Sequence, residues 1–263
     1  MKKILLACSV LAVFSGAAFA ADMPAPPPAY APVYKAPPPA PTFSGCYIDG
    51  GVGYGVSNID HNGETIPGLV PTSSSTTSGG RGWLGRAGGG CDYQFTLLNT
   101  WPAVIGLLAD YDFSNISGTT ADPTSGFGGN LNQSGAWYAG ARAGVLPLPS
   151  LLTYVDGGFT ESRFDRMNLS TQFTVPSLPT GTSLNGHTFN GWFIGGGTEY
   201  AFTWLPINGL FWRTEYRYAQ YQNADVSSFV TATGAPTGFG QRESPQVQTV
   251  TTSLVWRFNW GNW

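Results

Sequence analysis

Acidic and basic side chains two residues apart are the first places to look for chemistry in this chain. Asp110 and Asp112 are so spaced, as are Arg213, Glu215 and Arg217, and along an extended strand such residues share one face. Paired carboxylates are the usual equipment of acid–base catalysis. No partnering nucleophile or pocket accompanies these two, so a structural role is expected and no enzymatic activity. Gly51-Val52-Gly53-Tyr54-Gly55 imitates part of a nucleotide fingerprint, but it lies within a strand pattern with no helix after it. His61 and His187 fall in or beside polar linking segments without thiolate or clustered carboxylate support, which is a weak metal signal. No metal and no cofactor is expected.

The same alternation gathers a larger set. Asp49, Arg86, Asp92, Asp110, Asp112, Arg142, Asp156, Glu199, Arg213, Glu215, Arg217 and Arg257 all occupy the phase opposite to the apolar residues of their runs. Seven acids against five arginines, with Gly51, Gly53, Gly55, Gly88, Gly90, Gly195 and Gly197 leaving them room, read as an interlocked salt-bridge network rather than a reaction centre.

The elements that must position these residues are strands. Apolar residues recur at period two, the mark of a strand with two unlike faces, over Ser44 to Asn58, Arg81 to Leu97, Pro102 to Ile116, Gln133 to Pro147, Leu151 to Phe164, Thr188 to Trp204, Asn208 to Tyr221 and Gln246 to Trp260. The links alternate between tight ones, such as Leu98-Asn99-Thr100-Trp101 and Leu148-Pro149-Ser150, and long ones rich in Gly, Ser, Thr, Asn and Pro: Ile59 to Gly80, Ser117 to Asn132, Asp165 to His187 and Gln222 to Pro245. An even count with all tight turns at one rim predicts an all-β fold: an eight-stranded antiparallel up-and-down transmembrane β-barrel with short periplasmic turns and long extracellular loops.

Lysine usage decides which face looks outward. No lysine follows Lys35, although lysine is a usual residue of water-facing strands, and charged residues make up only 10% of the chain. The charged phase is therefore the inside, and eight strands enclose room for side chains but not for a wide bore. Aromatic residues of the outward phase fall at strand ends: Tyr54, Trp83, Tyr111, Phe113, Trp137 and Trp192 near the long-loop rim, and Tyr93, Phe95, Phe202, Trp204, Trp212, Trp256, Phe258 and Trp260 near the short-turn rim. Two such girdles are expected where amphipathic rings meet the two headgroup layers.

The ends of the chain add targeting information. Met1-Lys2-Lys3, an apolar run to Phe14 and the small-residue site Ala18-Phe19-Ala20 predict a secretory signal over residues 1–20. Residues 21–42 hold nine of the twenty prolines and predict an extended periplasmic tether, with residues 43–263 forming the barrel. A net charge of −3 without a basic stripe excludes a nucleic-acid partner. Cys46 and Cys91 fall in the outward phase at nearly the same height. They form either a cross-strand disulfide, as an oxidising periplasm permits, or two free buried thiols.

In the order and spacing of its segments the chain resembles the small alphaproteobacterial outer-membrane β-barrels, the porin-like surface antigens. The resemblance rests on the Pro- and Tyr-rich Tyr30-Ala31-Pro32-Val33-Tyr34, on Gly88-Gly89-Gly90-Cys91-Asp92-Tyr93-Gln94, on Arg142-Ala143-Gly144, on Gly195-Gly196-Gly197-Thr198-Glu199-Tyr200 and on Arg213-Thr214-Glu215-Tyr216-Arg217-Tyr218. It implies a barrel in the Gram-negative outer membrane that supports envelope integrity, displays loops outside, meets outer-membrane lipid and is inserted by the barrel-assembly machinery. The proline-rich segment itself reads first as a spacer, with contact to the cell wall or a periplasmic protein as the alternative. Cys46 and Cys91 depart from the family pattern, so a disulfide would be peculiar to this branch; whether Phe258 or Trp263 serves as the terminal assembly signal stays open. Two rival functions are a narrow channel for small solutes or ions and a soluble periplasmic ligand carrier, the latter requiring an apolar interior and a lysine-bearing exterior.

Overall fold

The computed structural model describes residues 41–122, 124, 126–172, 174–205 and 207–258. The predicted signal, all but the last two residues of the predicted tether, and Trp260 and Trp263 lie outside the described residues. Alternating sequence gives eleven strands: β1 (Gly45–Thr65), β2 (Thr76–Leu97), β3 (Trp101–Asp122), β4 (Phe127–Leu148), β5 (Leu151–Phe164), β6 (Met167–Thr171), β7 (Pro179–Leu184), β8 (His187–Ala201), β9 (Leu210–Tyr221), β10 (Ala224–Val230) and β11 (Pro236–Phe258). Every pairing is antiparallel.

The eight predicted segments correspond to β1, β2, β3, β4, β5, β8, β9 and β11, which pair in that order and close into a ring through β1 and β11, from Cys46 opposite Phe258 to Thr65 opposite Phe239. Closure leaves this ring no free edge. The predicted boundaries are too short at one rim. β1 runs on to Thr65, β2 begins at Thr76, β3 reaches Asp122, β4 begins at Phe127 and β11 begins at Pro236.

In those extensions the ladder changes partners. Above β5, β8 and β9 the wall is continued by β6, β7 and β10, with β6 pairing β4, β7 pairing β6, and β10 pairing both β7 and β11. A second ring of eight strands thus stands on the first and shares β1, β2, β3, β4 and β11 with it. Segments read as loops from their Gly, Ser and Thr content are strand here because neighbouring strands complete their ladders, a context that propensity does not contain.

The opposite rim is turned tightly. Leu98 and Asn99 have φ of 50° and 55°, and Thr100 N–H donates to Leu97 O at 3.1 Å, the two-residue turn whose twist suits a hairpin. Asn adopts that conformation at little cost, whereas Leu98 holds it against a steric penalty. Leu98→Asn is therefore expected to stabilise the protein by about 0.5 to 1 kcal/mol, read as a raised urea midpoint; a lowered midpoint would contradict the turn.

The outward face between the aromatic ends is predominantly apolar, interrupted only by neutral residues such as Thr198, Thr214 and Thr252. Ile48, Val52, Leu107, Val155, Ile194 and Leu254 are all more than half exposed, Leu107 at 68%, and no charged residue stands among the outward positions of these spans. A surface of this extent requires hydrocarbon contact. The soluble-carrier reading, which needs the reverse polarity, is overturned.

Candidate functional site

Inside the ring the side chains form three layers along the axis. At the short-turn end Phe43, Val104, Leu146, Leu152, Ala201, Phe211 and Val255 are buried together. At the other end Ile59, Ile116, Leu131, Phe164, Met167, Leu184, Phe189, Tyr221 and Val226 form a second apolar cluster, lined largely by the strand extensions. The twelve charged residues of the inward phase, all buried, lie mainly between them and interleave with the apolar clusters at the margins, where Leu152 stands opposite Glu199 and Val255 opposite Asp49.

Five guanidiniums organise this middle layer into two linked groups. In the group next to Phe43, Arg257 donates to Glu199 Oε1 from Nε at 2.8 Å and from Nη2 at 2.5 Å, and to Asp92 from Nη1 at 2.7 Å. Arg142 forks onto Asp92 and reaches Glu199 at 3.3 Å. Arg213 donates to Glu199 Oε2 at 3.1 and 3.0 Å and lies 3.3 Å from Asp49. In the other group Arg86 binds Asp112 through two parallel bonds of 2.7 and 2.8 Å and Glu215 at 2.5 Å. Arg217 meets Asp110 at 2.6 Å, Asp156 at 2.9 Å and Glu215 at 2.6 Å. Tyr154 joins the two groups, donating to Glu215 Oε2 at 2.6 Å while its ring faces Arg142 at 4.9 Å.

Three features of this layer were not read from the sequence. Inward aromatic rings partition it: Tyr47 is faced by Arg142, Arg213 and Arg257 at 4.7, 4.6 and 4.9 Å, and Tyr138 by Arg86 and Arg217 at 5.7 and 5.1 Å. Their signal was there, since Tyr47, Tyr138 and Tyr154 keep the phase of the charges. The charge is also unevenly shared: Asp49, Asp92 and Glu199 balance three arginines, whereas Asp110, Asp112, Asp156 and Glu215 face two. Finally, the ties cross the lumen as well as joining neighbours, Arg86 on β2 to Glu215 on β9 and Arg257 on β11 to Asp92 on β2. A one-residue slip of any strand would swing its member of the network into the outward face.

Glycines of the same phase make the fit. A Cβ on Gly195 would lie 2.6 Å from Asp156 Oδ1 and 2.8 Å from Arg217 Cγ, and one on Gly197 would lie 2.9 Å from Tyr154 Oη.

Cys46 and Cys91 stand opposite one another in the β1–β2 ladder with Cα atoms 3.9 Å apart, and their sulfurs are bonded. The two histidines are separated. His61 lies within β1 and is buried in the second ring, its Nε2 at 2.8 Å from Ser78 Oγ, while His187 is on the wall. Burial pushes the pKa of the His61 imidazole down, against the opposing pull of Asp122 and Asp60.

Glu243 of β11, paired across the ladder with His61, is buried among the extensions well above the aromatic ends, and burial pushes its carboxyl up to about 7 from 4.5. A raised folded-state pKa means the fold binds the proton more tightly than the unfolded chain does. The stability this gives is complete below about pH 4.5 and is lost as pH rises through about 7. Glu243→Gln should abolish that decline, removing a difference of up to about one bound proton between the folded and unfolded states. Urea midpoints at pH 5 and pH 8 check it; parallel profiles for wild type and variant would refute it.

This closed, charge-filled ring can be set beside known proteins. The family model for the outer membrane protein β-barrel domain matches residues 6–258. The 31 kDa outer-membrane immunogenic proteins of Brucella melitensis biotype 1 and Brucella suis biovar 1 are each 29% identical to the chain over 233 residues, covering 83% of it and 86% of their own length. Among solved structures, the outer membrane protein OprG from Pseudomonas aeruginosa superposes with a TM-score of 0.48 at 11% identity, covering 83% of this chain and 99% of that one.

Proposed function

The chain belongs to the outer membrane protein β-barrel domain family, and on that premise we propose that it is a non-conducting, non-catalytic barrel of the Gram-negative outer membrane that supports envelope integrity and presents its extended rim to the outside. The observation that carries this reading is the filled lumen. Two apolar layers enclose an ionic one in which every guanidinium is engaged by carboxylate, and apolar plugs of this kind oppose a water path. That the Brucella relatives are named outer-membrane immunogenic proteins supports display of the long-strand rim at the cell surface. The short turns then face the periplasm, the proline-rich residues 21–42 act as an extended spacer within reach of the cell wall or a periplasmic protein, and the last strand is read by the barrel-assembly machinery during insertion.

Planar-bilayer recording tests the reading. A silent membrane is expected, and stable, reproducible conductance steps would overturn it in favour of the narrow channel. One observation favours that rival: four carboxylates face two guanidiniums in one half of the ionic layer, a surplus of negative charge that favours a cation there.

A further inference from the structure

We propose that the β4–β5–β8 side of the wall holds an outer-leaflet lipid with a phosphorylated headgroup, its phosphate between Arg163 and Arg166 and one acyl chain in a groove along β4. The proposal rests on the orientation given above, with the long-strand rim outward.

The distribution of cations is the first observation. The chain has nine arginines, and the four outside the lumen, Arg81, Arg163, Arg166 and Arg242, are all exposed at the long-strand rim. No lysine joins them, and the turns of the opposite rim at 98–100, 149–150 and 202–209 carry no charge. Arg242 has Asp225 at 3.9 Å and Arg166 lies over the Phe229 ring at 4.5 Å, but among the described residues neither Arg163 nor Arg166 has an ion-pair partner. In a protein that pairs each lumenal guanidinium, two adjacent unpaired ones are an anion site waiting for charge from elsewhere.

Shape is the second. Arg163, Arg166, His187 and Thr188 wall a pocket of about 320 Å³, and the one carboxylate there, Asp165, is already held by Asn132 Nδ2 at 2.7 Å. Lower on the wall a groove of about 690 Å³ runs over Ala141, Ala143 and Gly157, bounded by Ile105, Leu107 and Val155. Ala141 and Ala143 of β4 and Gly157 of β5 are small at this height while Ile105 and Leu107 of β3 and Val155 of β5 are bulky, so the groove lies along β4 and opens onto β5 at Gly157.

Distance ties the two together. β5 passes through both, and the six residues from Gly157 to Arg163 span about 20 Å of strand, or about 15 Å along the membrane normal at a tilt near 40°. That is half of the roughly 30 Å hydrocarbon core, the depth of one leaflet. Trp137 and Phe159, with ring centroids 5.2 Å apart, stand between groove and pocket as an interfacial aromatic pair should. Glu161 lies on the same face two residues below Arg163 and repels a phosphate at girdle height, which leaves the arginine level as the favoured one.

The test uses the folded barrel in phosphatidylcholine nanodiscs doped with bisphosphorylated lipid A or with its dephosphorylated form, followed by detergent extraction and native mass spectrometry of the retained lipid. Wild type should retain the phosphorylated form and not the other. Arg163→Ala with Arg166→Ala should lower retention about 25-fold, a factor of about five per arginine, and Ala141→Leu, which fills the groove and leaves the cations intact, should lower it as well. Equal retention of the two lipids by wild type, or undiminished retention by the double variant, would overturn the proposal. Nanodiscs present lipid to both rims, so this outcome is independent of orientation; surface biotinylation of the rim on intact cells tests that separately.

Discussion

Glu199→Ala is expected to destabilise the barrel by about 3 to 5 kcal/mol, the usual cost of leaving buried charges uncompensated. Glu199 is fully buried, and its two oxygens accept from three arginines, Arg142, Arg213 and Arg257, on three other strands. Removing it turns a balanced group of three acids and three arginines into one with a surplus guanidinium enclosed by Phe43, Leu152 and Phe211. Glu215→Ala is the informative comparison. It too deletes a fully engaged carboxylate, bonded to Arg86, Arg217 and Tyr154, but from the group in which acids outnumber arginines. Arg86 keeps Asp112, and Arg217 keeps Asp110 and Asp156. The loss should therefore be smaller for Glu215→Ala than for Glu199→Ala. Urea unfolding in lipid vesicles, followed by tryptophan fluorescence and by heat-modifiable gel mobility, reads both. A Glu199→Ala variant within 1 kcal/mol of wild type, or one less damaged than Glu215→Ala, would show that charge balance does not govern this layer.

What was legible in the sequence was whatever obeys strict alternation between unlike faces. Arg213, Glu215 and Arg217 set against Trp212, Thr214 and Tyr216 leave one choice of inside once lysine is absent, and the structure buries every charge so assigned. The height match of Cys46 and Cys91 was legible for the same reason, because a tilted ladder with period two converts phase and strand order into position. The second ring was not legible. β6, β7 and β10 have five to seven residues each, too short to show a clear period, and are strands only because β4 and β11 extend far enough to offer them edges. The apolar residues Phe164, Phe189 and Tyr221 share the phase of the charges on their strands, and alternation gives no weight to an inward apolar residue when the inside is read as ionic; Leu131 is out of phase with Arg142 and turns inward only past the irregularity between Gln133 and Gly135. A layered lumen needs the axial height of each residue, which depends on register and hence on the closed ring itself.

The link between Cys46 and Cys91 gives the second large expectation: replacing both by Ala should lower unfolding stability by about 4 kcal/mol, the loop-closure value for cysteines 45 residues apart. The bond closes the open end of the β1–β2 hairpin, whose other end is the turn between Thr65 and Thr76. In the unfolded chain it therefore excludes every arrangement in which the hairpin's feet separate, and β1 is also the strand that must find β11 to seal the ring. Because the pair faces outward, away from the ionic layer, the double substitution opens no lumenal cavity and leaves the charge network whole. The effect should appear in the denatured ensemble, as a shifted urea midpoint with unchanged near-UV spectra, and dithiothreitol should shift wild type alone to the same midpoint. Intact-mass measurement after alkylation without prior reduction supplies the control. Addition of two alkyl groups to the native protein would mean free thiols, and a midpoint insensitive to both reductant and the double substitution would mean that strand pairing alone sets the register of β1 on β2.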